Sequence, residues 1–211
     1  MDRPYVTDAL LVIDVQNDFC PGGTLAIRDA DAIVPLINHL AQQFDHVILT
    51  QDWHPARHIS FATTHPGAKV YEQIEVAYGP QTLWPEHCLQ GGLGAGFHPA
   101  LDVPQAELIL RKGFRAEIDS YSAFRENDHT TPTGLAGYLG DRGLQRLFVC
   151  GLAYDFCVRF SALDGKTLGF ETIVIEDACR AVDLPGSVRA TNAALAVAGI
   201  PRIQSEELFA L

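Results

Sequence analysis

The chain has 211 residues, and the 47% of them that are hydrophobic suffice for a substantial buried core. Lys and Arg number 15 against 26 Asp and Glu, and the formal net charge of −11 disfavours contact with nucleic acid and with anionic membranes. No stretch of the sequence approaches the roughly 18–20 consecutive apolar residues of a membrane span. We therefore expect neither a nucleic acid nor a membrane as a partner.

The N-terminal segment and the cysteines predict a cytoplasmic protein. The first apolar run is broken by Asp14 and lacks the positively charged lead of a signal peptide, so it is interpreted as a core strand. The five cysteines are odd in number and form no CxxC pair, which is typical of free thiols in a reducing compartment. One of them is then available as a nucleophile. The cysteines are Cys20, Cys88, Cys150, Cys157 and Cys179.

Short apolar runs alternate along the chain with segments of helical spacing. The runs are nearly continuous in Val, Ile and Leu, as expected of strands covered on both faces. This alternation predicts a single-domain, doubly wound α/β fold, in which helices cover both faces of a mostly parallel six-stranded sheet as three α/β/α layers. The predicted strands are residues 9–14, 46–50, 107–111, 146–150, 171–176 and 201–205. The predicted helices are residues 29–44, 133–143, 155–169 and 186–199.

Two stretches, residues 51–105 and 113–131, interrupt this alternation. Both hold loop-forming residues and no long periodic segment. Loops of this length inside a compact domain are usually functional. Because the sequence contains no repeat, low-complexity tract or linker, residues 1–211 are predicted to form one domain, with 51–105 as a long loop region.

Polar residues stand where the predicted strands end. They are Asp14 after the first strand, Asp52 and His54 after the second, Lys112 after the third and Cys157 after the fourth. In a doubly wound sheet, ligands bind outside the carboxyl ends of the strands. We therefore expect these side chains to converge on one edge of the sheet.

Cys157 has two interpretations. A cysteine chosen at random is usually a small buried hydrophobe. Here the segment CGLAYDFC places the thiol in the first turn of a predicted helix, where the dipole stabilises an anion by about 0.3–1 kcal/mol. Lowering a thiol pKa by about two units requires roughly 2.7 kcal/mol, so a thiolate at this position also needs a neighbouring cation or base.

Lys112 and Asp14 are candidates for that neighbour. Lys112 ends an apolar strand, and its side chain points into the crevice only if the strand register allows it. Asp14 lies among core residues in LLVIDVQNDF, and a buried carboxylate without a partner is costly. Asp14 is suited to take the thiol proton and later pass it to a leaving amine, as general acid–base catalysis requires.

The segment DWH and a later histidine form a candidate metal site. Asp52 and His54 are two residues apart, so both face one side of an extended segment. His87 supplies a third ligand, and His58 is a candidate for a fourth. Zinc and similar ions accept such ligands and keep positions open for water or substrate. The alternative is surface histidines beside a loop aspartate, and the D-x-H spacing alone does not decide between the two.

Five segments together resemble the isochorismatase-like cysteine hydrolases and, within that superfamily, its bacterial nicotinamidase (pyrazinamidase) branch. They are LLVIDVQNDFCPGGTLAI, TQDWHPARHISFA, QTLWPEHC, RKGFRAEIDSYSAF and GLAYDFCV, and the similarity covers nearly the whole chain. The resemblance implies a catalytic triad of Asp14, Lys112 and Cys157. It also implies a cis peptide between Leu152 and Ala153, which directs the N–H groups of Ala153 and Cys157 at a developing oxyanion.

The resemblance further implies one divalent metal ion held by Asp52, His54 and His87. Zinc is the first expectation, with manganese or iron as alternatives. His58 matches a position that is a direct ligand in some relatives and is replaced or bridged through water in others. Aromatic residues pack the substrate ring in the family, and they correspond here to Phe19, Trp84 and Tyr121.

The implied activity is hydrolysis of a small molecule, nicotinamide, to nicotinate and ammonia through a cysteine thioester. The metal orients the pyridine ring, pyrazinamide is expected as a second substrate, and the expected role is NAD salvage. The sequence leaves open whether the chain forms a homo-oligomer. Tyr154 and Phe156 stand where many relatives carry a smaller or more polar residue, so selectivity is also left open.

Three other functions compete with this one. An amidohydrolase of the same superfamily acting on carbamoyl or ureido substrates shares the triad, but such relatives generally lack the metal ligands. Relatives that hydrolyse isochorismate do not use a cysteine nucleophile, so that activity would not require Cys157. A flavodoxin-like binding module requires a phosphate-binding glycine loop after the first strand, whereas the glycine-rich run 91–96 is not placed between a strand and a helix.

Overall fold

The fold is that of a computed structural model, which describes residues 5–209. The elements in chain order are β1 (Asp8–Ile13), α1 (Val34–Ala41), β2 (His46–Asp52), β3 (Gln73–Val76), β4 (Gly79–Thr82), β5 (Leu108–Lys112), α2 (Leu135–Asp141), β6 (Arg146–Leu152), α3 (Arg159–Thr167), β7 (Glu171–Arg180), α4 (Ser187–Val197), β8 (Arg202–Ile203) and α5 (Glu206–Phe209). The predicted domain, 1–211, extends beyond the described residues at both ends, so its extent stays a prediction.

Six strands form one parallel sheet in the order β5-β2-β1-β6-β7-β8. The chain leaves β1 toward β2 on one side and later returns to β6 on the other, so the winding reverses between β1 and β6. Crevices at such a reversal are where open α/β sheets bind ligands. The predicted three-layer α/β/α class is confirmed, and the sheet is parallel throughout.

The central strands are buried because they are covered on both faces. All six residues of β1 are buried, and so are six of the seven in β2 and in β6. Burying one Val, Leu or Ile side chain stabilises the fold by about 1.5–3 kcal/mol. The prediction of a fully buried third strand was wrong, because β5 lies at the sheet edge and Ile109 is 51% exposed.

The structure departs from the predicted elements in three further places. The antiparallel hairpin β3–β4 lies inside 51–105, where a loop was predicted, because its short strands are only half-buried and leave no apolar periodicity. Strand β7 continues to Arg180, beyond the predicted end at residue 176. The predicted helix 29–44 begins with a 3₁₀ turn, Ala30–Ile33, because Pro35 fits only the first turn of an α-helix. Within 5–209, no helix combines the length and hydropathy needed to cross a bilayer.

Gly151 allows β6 to lie against the carboxyl end of β1. Its φ is +112°, and it pairs with Ile13 in the sheet register. A Cβ at this position would overlap the backbone of Ile13, including its carbonyl oxygen. Only glycine therefore fits at this position. It lies beside the end of β1, which Asp14 follows, and near the end of β6, which precedes Cys157.

We expect Gly151→Ala to lower the free energy of unfolding by about 2–4 kcal/mol, through backbone strain and overpacking. Denaturant unfolding measures the change. The control is Gly137→Ala inside α2, where a Cβ meets no atom within 4 Å, so Ala is expected to stabilise the helix by about 0.5–1 kcal/mol. Equal stability of wild type and Gly151→Ala would contradict the close approach.

Candidate active site

The carboxyl ends of β1, β5 and β6 bring Asp14, Lys112 and Cys157 together. The Lys112 Nζ atom lies 2.8 Å from Asp14 Oδ2 and 3.4 Å from Cys157 Sγ. All three residues are buried, with Cys157 the most exposed at 7%. The strand register therefore turns Lys112 inward, which the sequence had left open.

Lys112 also contacts a residue of the predicted metal site. Its Nζ donates hydrogen bonds to Asp52 Oδ1 at 2.7 Å, to the Ser120 carbonyl oxygen at 3.0 Å and to Cys157 Sγ. Asp14 Oδ2, 2.8 Å away, is a fourth acceptor, and an ammonium has only three N–H donors, so four atoms compete for them. Lys112 therefore contacts both carboxylates and the sulfur at once.

Thr50 fixes the other oxygen of Asp14. The Thr50 hydroxyl donates to Asp14 Oδ1 at 2.6 Å and accepts the Asp14 backbone N–H at 3.1 Å. Asp14 has a φ of +48°, a left-handed conformation that aspartate tolerates better than most residues. The bend and the threonine together turn the carboxylate from the end of β1 toward Lys112.

The charges of this cluster shift one another's pKa values. Burial opposes the charge of Lys112, but the Asp14 and Asp52 carboxylates outweigh it and raise the pKa of the ammonium well above its usual value. Burial raises the pKa of the Asp14 carboxyl, and Lys112 offsets this only in part. Burial also acts to raise the pKa of Asp52, but His54 and Lys112 outweigh it and hold that pKa well below its usual value.

The pKa of Cys157 is raised, contrary to the expectation of a lowered value. Burial raises it well above the usual range, Lys112 lowers it only in part, and Asp14 raises it further. The expectation counted the helix end and the ammonium but omitted the full desolvation of the sulfur. These surroundings favour the neutral form of the Cys157 thiol, so forming a thiolate there would need a base close by.

Asp52, His54 and His87 bring their ligand atoms to one point. The three atoms lie within 4.8 Å of one another, and Asp52 Oδ2 is 3.0 Å from His54 Nε2 and 3.4 Å from His87 Nε2. All three side chains are buried, which excludes the alternative of surface histidines.

Two backbone carbonyls orient these imidazole rings. His54 Nδ1 lies 2.9 Å from the Gly113 oxygen, and His87 Nδ1 lies 2.8 Å from the Pro85 oxygen. A carbonyl only accepts, so each Nδ1 carries a hydrogen and each Nε2 faces Asp52. In the neutral form of each ring, Nε2 then has a lone pair in the position of a metal ligand. This donor set fits a divalent metal ion such as zinc.

His58 lies in a neighbouring cluster. Its ring centroid is 4.2 Å from that of His54, and its ligand atom groups with those of His54 and Asp119. Its Nδ1 contacts the Ser60 hydroxyl at 2.8 Å, and burial lowers the pKa of His58 to about 4. The structure thus places His58 beside the Asp52 site, and its role as a direct ligand stays a prediction.

A cleft opens between the Cys157 thiol and the predicted metal ligands. It contains about 340 Å³ of empty space, open solvent at its mouth included. Cys157, Ala153, Asp52 and His87 face it, so a bound molecule contacts both clusters. The predicted aromatic residues Phe19, Trp84 and Tyr121 also line this cleft.

The aromatic residues form a slot, and a hydrogen bond and a ring contact hold its side chains in place. Trp84 Nε1 donates to the Tyr121 hydroxyl at 3.0 Å, and Phe156 packs edge-on against Trp84 with ring centroids 4.8 Å apart. The peptide between Leu152 and Ala153 is cis, as the family resemblance implied.

Several residues of the site were not identified from the sequence. Asp119 lines the cleft and accepts a hydrogen bond from Gln81 at 2.9 Å, yet it lies in a loop with no pattern to single it out. Thr50 ends an apolar strand, and its hydroxyl, a polar group in an otherwise apolar run, is the signal that could have identified it. Gln16 ties β1 to β2, since its side chain donates to the Asp52 carbonyl and accepts the Asp52 N–H, both at 2.8 Å.

A thiol, an ammonium and carboxylates are buried at the carboxyl edge of the parallel sheet, beside the point where its winding reverses. This arrangement places the chain among the three-layer α/β proteins with a ligand site at that edge. The chain belongs to the isochorismatase family, because the Isochorismatase domain matches residues 8–206. The family resemblance of the five segments is thereby confirmed.

Relatives with known names support the same grouping. The chain is 51% identical to a nicotinamidase of Acinetobacter baylyi over 201 residues, which cover 95% of this chain and 94% of the relative. The solved nicotinamidase/pyrazinamidase of Acinetobacter baumanii superposes with a TM-score of 0.96 at 56% identity, covering 97% of this chain and 99% of the other. The pyrazinamidase of Pyrococcus horikoshii, solved in complex with zinc, has a TM-score of 0.77 at 32% identity, covering 94% and 99%.

We expect Lys112→Met to lower the free energy of unfolding by about 3–5 kcal/mol at pH 7, because it leaves buried carboxylates without their cation. Without Lys112, the pKa values of these carboxylates rise above those of the unfolded chain, so the folded state binds more protons than the unfolded state. The loss in the free energy of unfolding relative to wild type therefore becomes smaller as the pH falls toward 5. Denaturant unfolding at both pH values measures this.

The control is Lys166→Met, which removes a charge from an exposed position in the last turn of α3. Its expected effect is within about 0.5 kcal/mol at either pH. A Lys112→Met deficit that stayed constant with pH would show that lost packing, and not unpaired charge, causes the instability.

Proposed function

We propose that this chain is a nicotinamidase that hydrolyses nicotinamide to nicotinate and ammonia, with pyrazinamide as a second substrate and NAD salvage as its role. The observation that carries the proposal is one cleft bordered by Cys157 on one side and by Asp52 and His87 on the other. Nicotinamide carries its carboxamide on the ring carbon meta to the ring nitrogen, so the two groups point in different directions, and the cleft offers a suitable group to each. The identity to named nicotinamidases supports the same activity.

In the proposed first step, Asp14 acts as the base for Cys157. The raised pKa of Asp14 makes its carboxylate a stronger base than usual, and Asp14 Oδ2 and Cys157 Sγ both contact the same Lys112 Nζ atom. The thiol proton passes to Asp14 Oδ2 as sulfur attacks the carboxamide carbon, and the C=O electron pair moves to oxygen. Lys112, in contact with both atoms, stabilises the charge that moves between them.

The oxyanion formed in that step is held by the backbone N–H groups of Ala153 and Cys157, both of which border the cleft. Asp14 then donates its proton to the nitrogen, the C–N bond breaks and ammonia leaves. Water next attacks the thioester while Asp14 takes its proton. The C–S bond breaks, the acid is released and the proton returns to the sulfur of Cys157.

The proposed metal ligands are Asp52, His54 and His87. A divalent ion bound there supplies a Lewis-acid position for the ring nitrogen, with zinc as the first candidate. Asp52 links this position to the triad, because Oδ2 faces the imidazoles while Oδ1 accepts the Lys112 hydrogen bond. His58 is a candidate for a further ligand of the same ion.

Phe19, Trp84 and Tyr121 are proposed to hold the substrate ring. A flat apolar slot suits pyridine and pyrazine alike, because both rings place a nitrogen at the same distance from the carboxamide. We propose the cytoplasm as the place of action, since all five cysteines are free thiols in the structure.

The test is ammonia release from nicotinamide. We expect metal-replete wild type to be active, Cys157→Ala to lose at least about a thousandfold in kcat, and chelation to abolish activity until zinc is restored. The matched control is Cys179→Ala, which removes another buried thiol and should keep kcat within about twofold. Turnover of a ureido compound but not of nicotinamide would assign the chain to a different amidohydrolase activity.

We also expect Gly113→Ala to weaken metal binding by about 10–100-fold. The Gly113 carbonyl orients His54, its φ is +65°, and an added Cβ would overlap the His54 ring. Competition with a chromogenic chelator measures the metal Kd. Gly134→Ala is the control, because it has a φ of +103° and an open environment, so it shares the strain but not the overlap. Equal Kd values for wild type and Gly113→Ala would argue against His54 as a ligand.

A further inference from the structure

A second cavity lies beside the catalytic cleft and shares two of its walls, Tyr121 and Phe156. Its volume of about 260 Å³ lies just below the roughly 300–1,000 Å³ of small-molecule pockets, which suits one small aromatic ligand. We call it the outer cavity; Arg159, Phe160 and Asp155 line it together with the two shared walls.

Arg159 faces this cavity without a protein partner for its charge. Its Nε atom is buried and has no hydrogen-bond partner among the described residues, and within 5–209 no carboxylate forms an ion pair with it. Asp155 lies four residues earlier, at a spacing that favours pairing on a helix. Its oxygens instead accept the N–H groups of Val182 and Asp183 at 2.9 Å and the Ser187 hydroxyl.

A row of aromatic rings leads from the Arg159 guanidinium toward the catalytic cleft. It lies 5.2 Å from the centre of the Phe160 ring, which is 5.4 Å from that of Tyr121, and Tyr121 in turn is 5.5 Å from Phe156. An unpaired guanidinium binds a carboxylate through two parallel hydrogen bonds. A neighbouring aromatic wall packs against a flat ring. The outer cavity therefore offers both halves of the binding site for an aromatic acid.

We propose that the outer cavity binds a small aromatic carboxylate, namely the acid released from the neighbouring cleft. This assignment of the ligand rests on the proposed function. Hydrolysis of the amide turns a neutral substrate into an anion beside the carboxylates of Asp52 and Asp119, which line the cleft. Arg159 places a positive charge in the adjoining space, so the acid gains a favourable position as it leaves.

The test is a calorimetric titration of nicotinate into the metal-replete chain, which involves no turnover. We expect two binding sites in wild type, one in the cleft and one in the outer cavity. Arg159→Gln should weaken the second site about tenfold, and Arg159→Lys, which keeps the charge but loses the forked donor, about threefold. Lys166→Gln removes an equal charge from an exposed position on the same helix and should leave both sites within twofold.

Nicotinamide kinetics separate this inference from the proposed function. The neutral amide gains little from a guanidinium, so Arg159→Gln should keep its KM and kcat for nicotinamide within about twofold, which also shows that the variant is folded. A single nicotinate site in wild type, or equal second-site affinity in Arg159→Gln, overturns the outer cavity as a binding site while leaving ammonia release intact. Absence of ammonia release with two nicotinate sites overturns the proposed function alone.

Discussion

Lys112 places one positive charge between two buried carboxylates, with its Nζ atom 2.8 Å from Asp14 and 2.7 Å from Asp52. Neither carboxylate could remain ionised at this depth without a cation, because desolvation alone favours the protonated acid. The same ammonium contacts Cys157, so the thiol, the carboxylate proposed as its base and the proposed metal ligand Asp52 all surround a single nitrogen.

Asp52 divides its two oxygens between separate tasks. Oδ1 accepts from Lys112, and Oδ2 faces the imidazoles of His54 and His87. The predicted triad and the predicted metal site are thus parts of one electrostatic network. A change in charge at His54 or His87 therefore alters the electrostatic environment of the Lys112 ammonium and, through it, that of the Cys157 sulfur. This coupling requires no movement of the backbone.

The sequence predicted those features of the site that depend on where the strands end and on the spacing of nearby residues. Asp14, Lys112 and Cys157 each follow an apolar run, so the parallel sheet alone brings them to one edge. It did not predict the Lys112–Asp52 contact, which depends on the register between β2 and β5 that aligns these two residues. Asp119 was missed because it lies in a loop positioned by long-range contacts. The pKa of Cys157 was misjudged because burial is a tertiary property that neighbouring residues in the sequence do not reveal.

Strand β5 pairs with β2 and lies at the margin of the sheet, with Ile109 exposed at 51%. An edge strand is held by one ladder of hydrogen bonds and frays more readily than its interior neighbours. Lys112 is its last residue. The buried carboxylates of Asp14 and Asp52 both need this ammonium, so they hold the last residue of the edge strand in place. The margin of the sheet nearest the cleft is therefore secured by charge as well as by its single ladder of hydrogen bonds.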